Sequence, residues 1–351
     1  VNICLFLPNW LGDVVMATPA IRAIRRWVGS EGRIIGIMRP NLAGVLDGTN
    51  WLDETWCYDP RCDDPRWRTA NLVRRLSIES WDAAILFPNS WRYSLLAWLT
   101  GIPKRIGYGR YHRGRLLTHS LPWNYSRREG WTVPMVQYYL RLAEALGCPP
   151  ESPKLELQTT PEGESLASRV WADLGLSENA RVVAMHVGSG GASAKLWPGE
   201  YFGELARWIV DRTDSAVLLV CGPGERKTVR RMVRDLRHPR IVSLADQPLH
   251  ISLLKSCLRR CALCISNDSG PRHVAAALGV PVVTLLGPTP ESLIANPSVR
   301  SMELRISMPC APCLRKTCAP GHHRCMREML PDWVFQQISP FFASEKSRQA
   351  A

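Results

Sequence analysis

The apolar run "ICLFL" leads through "PNWLGDVVMATPAIRAI" into a helical pattern, and it carries one carboxylate, Asp13, to the turn between them. Gly12 ahead of it permits close approach of a backbone or a ligand. The positive end of a helix dipole stabilises the ionised form of an acid placed there. Such an acid is either an N-cap or a general base facing a ligand. A nicotinamide or flavin dinucleotide is disfavoured, because the turn offers a single glycine in place of G-x-G-x-x-G.

Residues 186–205, "HVGSGGASAKLWPGEYFGEL", supply chemistry of the opposite sign. Ser189, Gly190, Gly191 and Ser193 form a glycine-serine loop ahead of Lys195, and backbone amides with a lysine suit a diphosphate. Leu196 stands where a Walker A loop needs Ser or Thr, so an ATPase is disfavoured. In "CISNDSGPRHVAAALGVPVVTLLGPTPE", Asp268, Ser269 and Gly270 run into a small-residue helix carrying His273 one turn later, a second corner able to receive an anion. The same residues also read as an ordinary capping turn with a packed histidine. Glu225, in "CGPGERK", follows another strand end and could accept both hydroxyls of a ribose. Near the end Cys310, Cys313, Cys318 and Cys325 surround His322 and His323, and four thiolates at such spacing suit a structural zinc. Free thiols or a disulfide are the alternatives, and neither common ferredoxin spacing is matched.

Around these residues, apolar runs of strand length alternate with longer helical patterns. The runs "ICLFL", "RIIGIM", "TWCY" and "AAILF" precede the proline-rich interval 147–163, and "RVVAMHVG", "AVLLVCG", "ALCIS" and "PVVTLLG" follow it. Continuous apolar strands separated by helices imply parallel sheets covered on both faces, hence an α/β chain with two doubly wound units. Ligands then belong at the carboxyl ends of the strands. The expected divisions are 1–155, 156–330 and a helix with tail at 331–351 that could cross back onto the first. With 351 residues and a formal net charge of +13, the chain is long enough for two cores and is drawn to anionic partners. The basic run 102–119 holds Lys104, Arg105, Arg110, Arg113 and Arg115, with Arg127 and Arg128 close behind, and reads as a solvated loop or an anion-binding one. The longest uncharged stretch, Val274–Pro290, is broken by Pro281 and Pro288, and no signal peptide is read at the start, so the expectation is a cytoplasmic chain touching membranes only peripherally.

Four blocks, "LPNWLGDVVMATPAIRAI", "LFPNSWRYSLLAWLTGIPKRIGY", "GASAKLWP" and "SNDSGPRHVAAALGVPVVTLLGPT", resemble in order the ADP-heptose:lipopolysaccharide heptosyltransferases of glycosyltransferase family 9, above all the heptosyltransferase II branch. The resemblance runs over nearly the whole chain. It implies a GT-B fold, two Rossmann-like domains facing across a cleft, with the acceptor on the first and ADP-heptose on the second. It implies an inverting transfer that needs no catalytic metal, any zinc being structural. By the same resemblance Asp13 is the catalytic base, and Lys195 with the loop from Ser189 to Ser193 holds the diphosphate and stabilises its departure. Glu225 binds the ribose, and Gly12, Asp268, Ser269, Gly270 and His273 line the donor site. Asn89, Ser90 and the basic run then meet the lipopolysaccharide inner core, whose Kdo carboxylates and lipid A phosphates suit arginine forks, at the inner face of the inner membrane. The alternatives are a family member with another nucleotide sugar or acceptor, and a non-catalytic basic module for nucleic acid or anionic membrane. The second leaves Asp13, Lys195 and the 268–273 turn without a purpose. No nucleic-acid partner is expected, since neither a stacking platform nor a groove-reading helix is evident.

Overall fold

The chain divides into two compact units, the first formed by residues 1–158 with 292–298 and the second by 159–291 with the chain from 299 onward. The computed structural model describes residues 1–122 and 133–342, and the backbone alone at 125–126 and 130–131. Arg127, Arg128 and the end of the tail, 343–351, lie outside the described residues.

In the first unit the order is β1 (Asn2–Phe6), α1 (Leu11–Met16), α2 (Thr18–Val28), β2 (Arg33–Met38), β3 (Glu54–Cys57), α3 (Thr69–Ile78), β4 (Ala83–Leu86), α4 (Trp91–Leu99), β5 (Lys104–Tyr108), β6 (His119–Leu121), the short antiparallel pair β7 (Tyr125–Ser126) and β8 (Gly130–Trp131), and α5 (Met135–Leu146). The six long-range strands pair in parallel in the order β3-β2-β1-β4-β5-β6. Residues Cys4 to Phe6 and Ala83 to Leu86 are buried, as central parallel strands covered on both faces require. The pattern "VVMATPAIRAIRRW", which reads as one helix, is broken between α1 and α2. Pro19 has no N–H for the Val15 carbonyl, and the Thr18 hydroxyl donates to that carbonyl instead, at 2.7 Å. The interval 102–119, expected as a loop, contributes two strands and a 3₁₀ segment at Arg110–Leu116, because Ile106, Gly107 and Tyr108 are buried beside β4.

The second unit repeats the plan. Its elements are α6 (Pro161–Asp173), β9 (Val182–His186), α7 (Gly199–Arg212), β10 (Ala216–Val220), α8 (Arg226–Leu236), β11 (Ile241–Ser243), α9 (Ile251–Arg259), β12 (Leu263–Asn267), α10 (Gly270–Ala277), β13 (Val282–Leu286), α11 (Glu291–Ile294), β14 (Ser301–Arg305), α12 (Arg324–Arg327) and α13 (Pro331–Ile338). The sheet order is β11-β10-β9-β12-β13-β14, again all parallel. In both sheets the strand order reverses beside the first strand, and the crevice at such a reversal is where open α/β sheets take ligands. In the first unit that point lies between the loops after β1 and β4, in the second between the loops after β9 and β12.

The helix expected within 331–351 forms in the described residues as α13, which packs on α7 with Val334 and Ile338 buried in the second unit's core. Two apolar residues one turn apart face the nearest apolar surface of their own unit. The segment grouped with the first unit is 292–298, where the Asn296 side chain donates to the Pro153 carbonyl at 2.9 Å. No described helix is long and apolar enough to cross a membrane.

Candidate functional site

At the reversal point of the first sheet a pocket of about 340 Å³ is lined by Trp10, Asp13, Asn89, Arg110, Tyr138 and Tyr139, among others. Asp13 is not the N-cap of α1; Trp10 is, and Asp13 stands in the first turn with Gly12 buried beside it. The Tyr139 hydroxyl of α5 donates to Asp13 Oδ1 at 3.0 Å. Burial, and then the Asp13 charge, hold the Tyr139 phenol well above its ordinary range, so it keeps its proton and acts as a donor. Asn89, from the loop after β4, donates to the Tyr138 hydroxyl at 2.7 Å and accepts from Arg113 at 3.1 Å. The Tyr108 ring stacks on Tyr138 with centroids 3.9 Å apart, which holds Tyr138 in the pocket wall.

The basic run separates into two kinds of residue. Arg113 is fully buried, donating through Nε to the Tyr108 carbonyl at 2.7 Å and through Nη1 to the Pro88 carbonyl at 2.6 Å. Burial pushes its pKa down to about 10, which still leaves it charged at neutral pH. Gly107 makes room for it, since a Cβ there would stand 3.1 Å from Arg113 Nη2. Lys104 donates to the Leu146 carbonyl at 3.0 Å, and Arg105 to the Leu116 carbonyl at 2.8 Å. These three cations bond backbone carbonyls of their own unit, and Arg113, fully buried, is withdrawn from the anion-binding surface expected of it, whereas Lys104 and Arg105 stay half-exposed. Arg110 lines the pocket and Arg115 is exposed. Ser90 is the N-cap residue of α4, makes no side-chain cap bond, and passes its carbonyl to Ser94.

At the reversal point of the second sheet Lys195 and Asp268 meet, Nζ to Oδ2 at 2.6 Å. The same oxygen accepts from the Thr289 hydroxyl at 2.7 Å, and Oδ1 faces Arg272 Nε at 3.3 Å. Burial alone would raise the Asp268 pKa, but the Arg272 and Lys195 charges outweigh it and hold the carboxyl well below the usual range. Two cations thus share one carboxylate, and Arg272 Nη2 is buried with no hydrogen-bond partner among the described residues. Ser269 lies between the Ser266 hydroxyl and His186 Nδ1, each at 2.9 Å. Burial pushes His186 down to about 4, and burial followed by the Arg272 charge pushes His273 well below its ordinary range, so both imidazoles are neutral at pH 7. Gly270 is the first residue of α10, a position whose N–H has no partner within the helix.

The glycine-serine loop turns at Gly190 and Gly191, with φ of 62° and 88°, values that disfavour any other residue. The Lys316 carbonyl fixes its far end by accepting from the Ala194 amide at 3.0 Å and from the Ser193 hydroxyl at 3.5 Å. Asn267 fixes the near end, donating to the Val187 and Gly188 carbonyls at 3.0 and 3.1 Å. Glu225 precedes α8, and its Oε2 accepts from the Gly222 amide at 2.8 Å. Its other oxygen lies against Gly188, where a Cβ would come within 2.5 Å. Sequence reasoning missed Tyr138, Tyr139, His186, Gly188, Arg272 and Thr289, and gave Asn267 no role beyond its turn. The two tyrosines carry no local signal, since "VQYYLRL" is an ordinary amphipathic stretch, whereas Gly188, Asn267 and Arg272 adjoin motifs already singled out.

The four cysteines expected to hold a zinc lie near one another, since burial and then the Cys310, Cys313 and Cys318 thiols raise the Cys325 pKa. Cys310 and Cys313 are exposed, Cys310 Sγ is 3.9 Å from His322 Nε2, and Cys318 Sγ accepts from the His323 amide at 3.4 Å. Among the described residues no three His, Cys, Asp or Glu side chains are grouped to hold a metal ion. The segment's backbone is tied elsewhere, with Leu314 donating to the Pro288 carbonyl at 2.8 Å and Lys316 holding the glycine-serine loop. Cys257, Cys261 and Cys264 are buried core thiols.

Comparison with known proteins agrees with this architecture. The sequence profile of glycosyltransferase family 9 (heptosyltransferase) matches residues 69–323. Lipooligosaccharide heptosyltransferase 2 of Campylobacter jejuni is 22% identical over 343 residues, covering 96% of this chain and 98% of that one. The solved structure of the Escherichia coli ADP-heptose LPS heptosyltransferase II superposes with a TM-score of 0.79 at 22% identity, covering 100% of both chains. The E. coli heptosyltransferase WaaC, solved with ADP, gives 0.72 at 15% identity, covering 97% of this chain and 100% of that one. At these identities the structural likeness is one of fold.

Proposed function

Since the chain belongs to glycosyltransferase family 9, the heptosyltransferases, we propose that it moves heptose from ADP-heptose to the inner core of lipopolysaccharide, inverting the anomeric centre without a metal ion. The names of its relatives, and the ADP bound by one of them, support the donor and acceptor classes. The observation that carries the reading is the pocket of the first unit, where Asp13 is held by the Tyr139 hydroxyl. A sugar hydroxyl is a weak nucleophile, and a carboxylate in the pocket wall can take its proton as the oxygen attacks the heptose C1. The C1–O bond to the diphosphate then breaks, and ADP leaves with the electron pair.

Stabilising that leaving group falls to the second unit. Lys195, the amides of the 189–193 loop, and Ser269 with the Gly270 amide supply positive potential where negative charge develops. His273, neutral in its buried place on α10, lines the same corner, and Glu225 takes the ribose hydroxyls. Asp268, with both oxygens engaged by protein groups, positions Lys195 and Arg272. On the acceptor side Asn89 and Arg110 orient the sugar within the pocket, and Arg115 meets acidic groups outside it. The protein works in the cytoplasm, peripherally on the inner face of the inner membrane.

The test is Asp13→Asn, with folding checked by circular dichroism. Removing a general base costs about 10²- to 10⁴-fold in turnover, with ADP affinity unchanged because the groups proposed for the diphosphate and the ribose lie in the other unit. Full turnover by the folded variant would refute the assignment.

A further inference from the structure

The inner side of α4 is core: Tyr93, Ser94, Leu96 and Ala97 are buried. Its outer side is equally apolar. Trp91, Trp98 and Leu99 are 51, 50 and 58% exposed, and Leu95 between them is half-buried. Positions 91, 95, 98 and 99 follow the i, i+4, i+7, i+8 spacing of one helical face, so these four side chains form a single stripe. A soluble surface rarely leaves such a stripe unpartnered, and its occurrence marks a docking site.

The surroundings identify the partner. Arg92 borders the stripe, and the 3₁₀ segment Arg110–Leu116 packs against the same helix, adding exposed Arg115 and Tyr111, the latter 60% exposed with the Arg110 guanidinium 4.4 Å over its ring. From Ala83 through Arg128 the chain contains no Asp or Glu. Tryptophan and tyrosine beside arginine, without acids, match the headgroup zone of an anionic bilayer, where aromatic rings sit at the interface and cations meet lipid phosphates.

We propose that the outer face of α4, with the Arg110–Leu116 segment, is the surface by which this protein lies on an anionic lipid bilayer. The pocket adjoins it along the chain: Asn89 lines the pocket, and Trp91 begins the stripe two residues later. A lipid-anchored acceptor can then present its sugar to Asp13 while its acyl chains stay in the bilayer. This use rests on the function proposed above, whereas bilayer binding itself does not.

The experiment is co-sedimentation of the full chain with phosphatidylglycerol-rich vesicles and with phosphatidylcholine vesicles. The unchanged chain binds the first and not the second, and the double variant Trp91→Ser, Trp98→Ser binds the first at least about tenfold more weakly. Transfer to a deacylated acceptor sugar stays at the level of the unchanged chain, while transfer to a vesicle-borne acceptor falls. Equal binding by the double variant, or equal binding to both vesicle types, overturns the proposal. So does a concentration-dependent dimer in sedimentation velocity that the substitutions abolish, because the face would then belong to a second copy of the chain. Loss of vesicle binding by the variant, with the unchanged chain inactive on every acceptor, would uphold the surface and reject the activity.

Discussion

Replacing Asp268 by Asn tests how the second unit holds its cations. The carboxylate is buried, with Lys195 Nζ 2.6 Å from one oxygen and Arg272 Nε 3.3 Å from the other. Asparagine keeps the shape but presents an NH₂ to one of two cationic donors and removes the one acid paired with either among the described residues. Breaking a buried ion pair from one side costs about 3–5 kcal/mol, a large share of a total stability on the order of 5–15 kcal/mol. For a unit of this size that is a fall in Tm of about 6–20 °C. Thermal unfolding followed by calorimetry reads it directly. Lys195→Met alone should be milder, since Arg272 still pairs the acid, and the double variant should cost less than the sum of the two. The acid's folded pKa is depressed, so its contribution is present above the ordinary carboxylate range and lost as pH falls through and below it. The difference between variant and unchanged chain should therefore be constant above about pH 5 and shrink below about pH 4. A loss under about 1 kcal/mol at pH 7, the worth of an exposed pair, would refute the account of Asp268 as the anchor of both cations.

Tyr139→Phe removes the hydroxyl that holds Asp13 and should lower turnover about 10- to 100-fold, because a hydrogen bond to a charged group is worth about 1.5–3 kcal/mol; steady-state kinetics with unchanged donor KM would show it. Gly188→Ala drives a methyl to 2.5 Å from Glu225 and 2.9 Å from His186, so nucleotide affinity should weaken more than stability, as isothermal titration with ADP and thermal unfolding together would report. His186, pushed down to about 4 by burial, stays neutral in the fold while the unfolded chain takes up a proton below about pH 6.5. Stability from this group is complete above that pH and declines by about 1.4 kcal/mol per pH unit between 6.5 and 4, a slope that His186→Gln should flatten in urea titrations.

Composition and period sufficed for the architecture wherever strands were wholly apolar. "AAILF" and "RVVAMHV" become central strands because a parallel sheet covered on both faces demands unbroken apolar runs. The glycine-serine loop and the 267–273 turn were legible for a similar reason: they carry their chemistry within a few consecutive residues. Strands that carry charge were less visible. Lys104–Tyr108 has two cations in five residues, and only pairing with β4 and β6 and burial of its second half make it a strand.

Tertiary structure alone decided what each charge does. Lys104, Arg105 and Arg113 read as surface cations, yet backbone carbonyls at Leu146, Leu116 and Tyr108 capture them. Asp13 could be recognised at its turn, but its partner Tyr139 lies 126 residues away in sequence. Asp268 could be recognised in its turn, but its partners Lys195 and Thr289 come from elsewhere in the chain. Periodicity reports which side of an element meets the core, because burial of apolar area is nondirectional and averages over neighbours. Hydrogen bonds and ion pairs depend on distances of a few tenths of an ångström between atoms brought together from remote parts of the chain, and no local pattern encodes those.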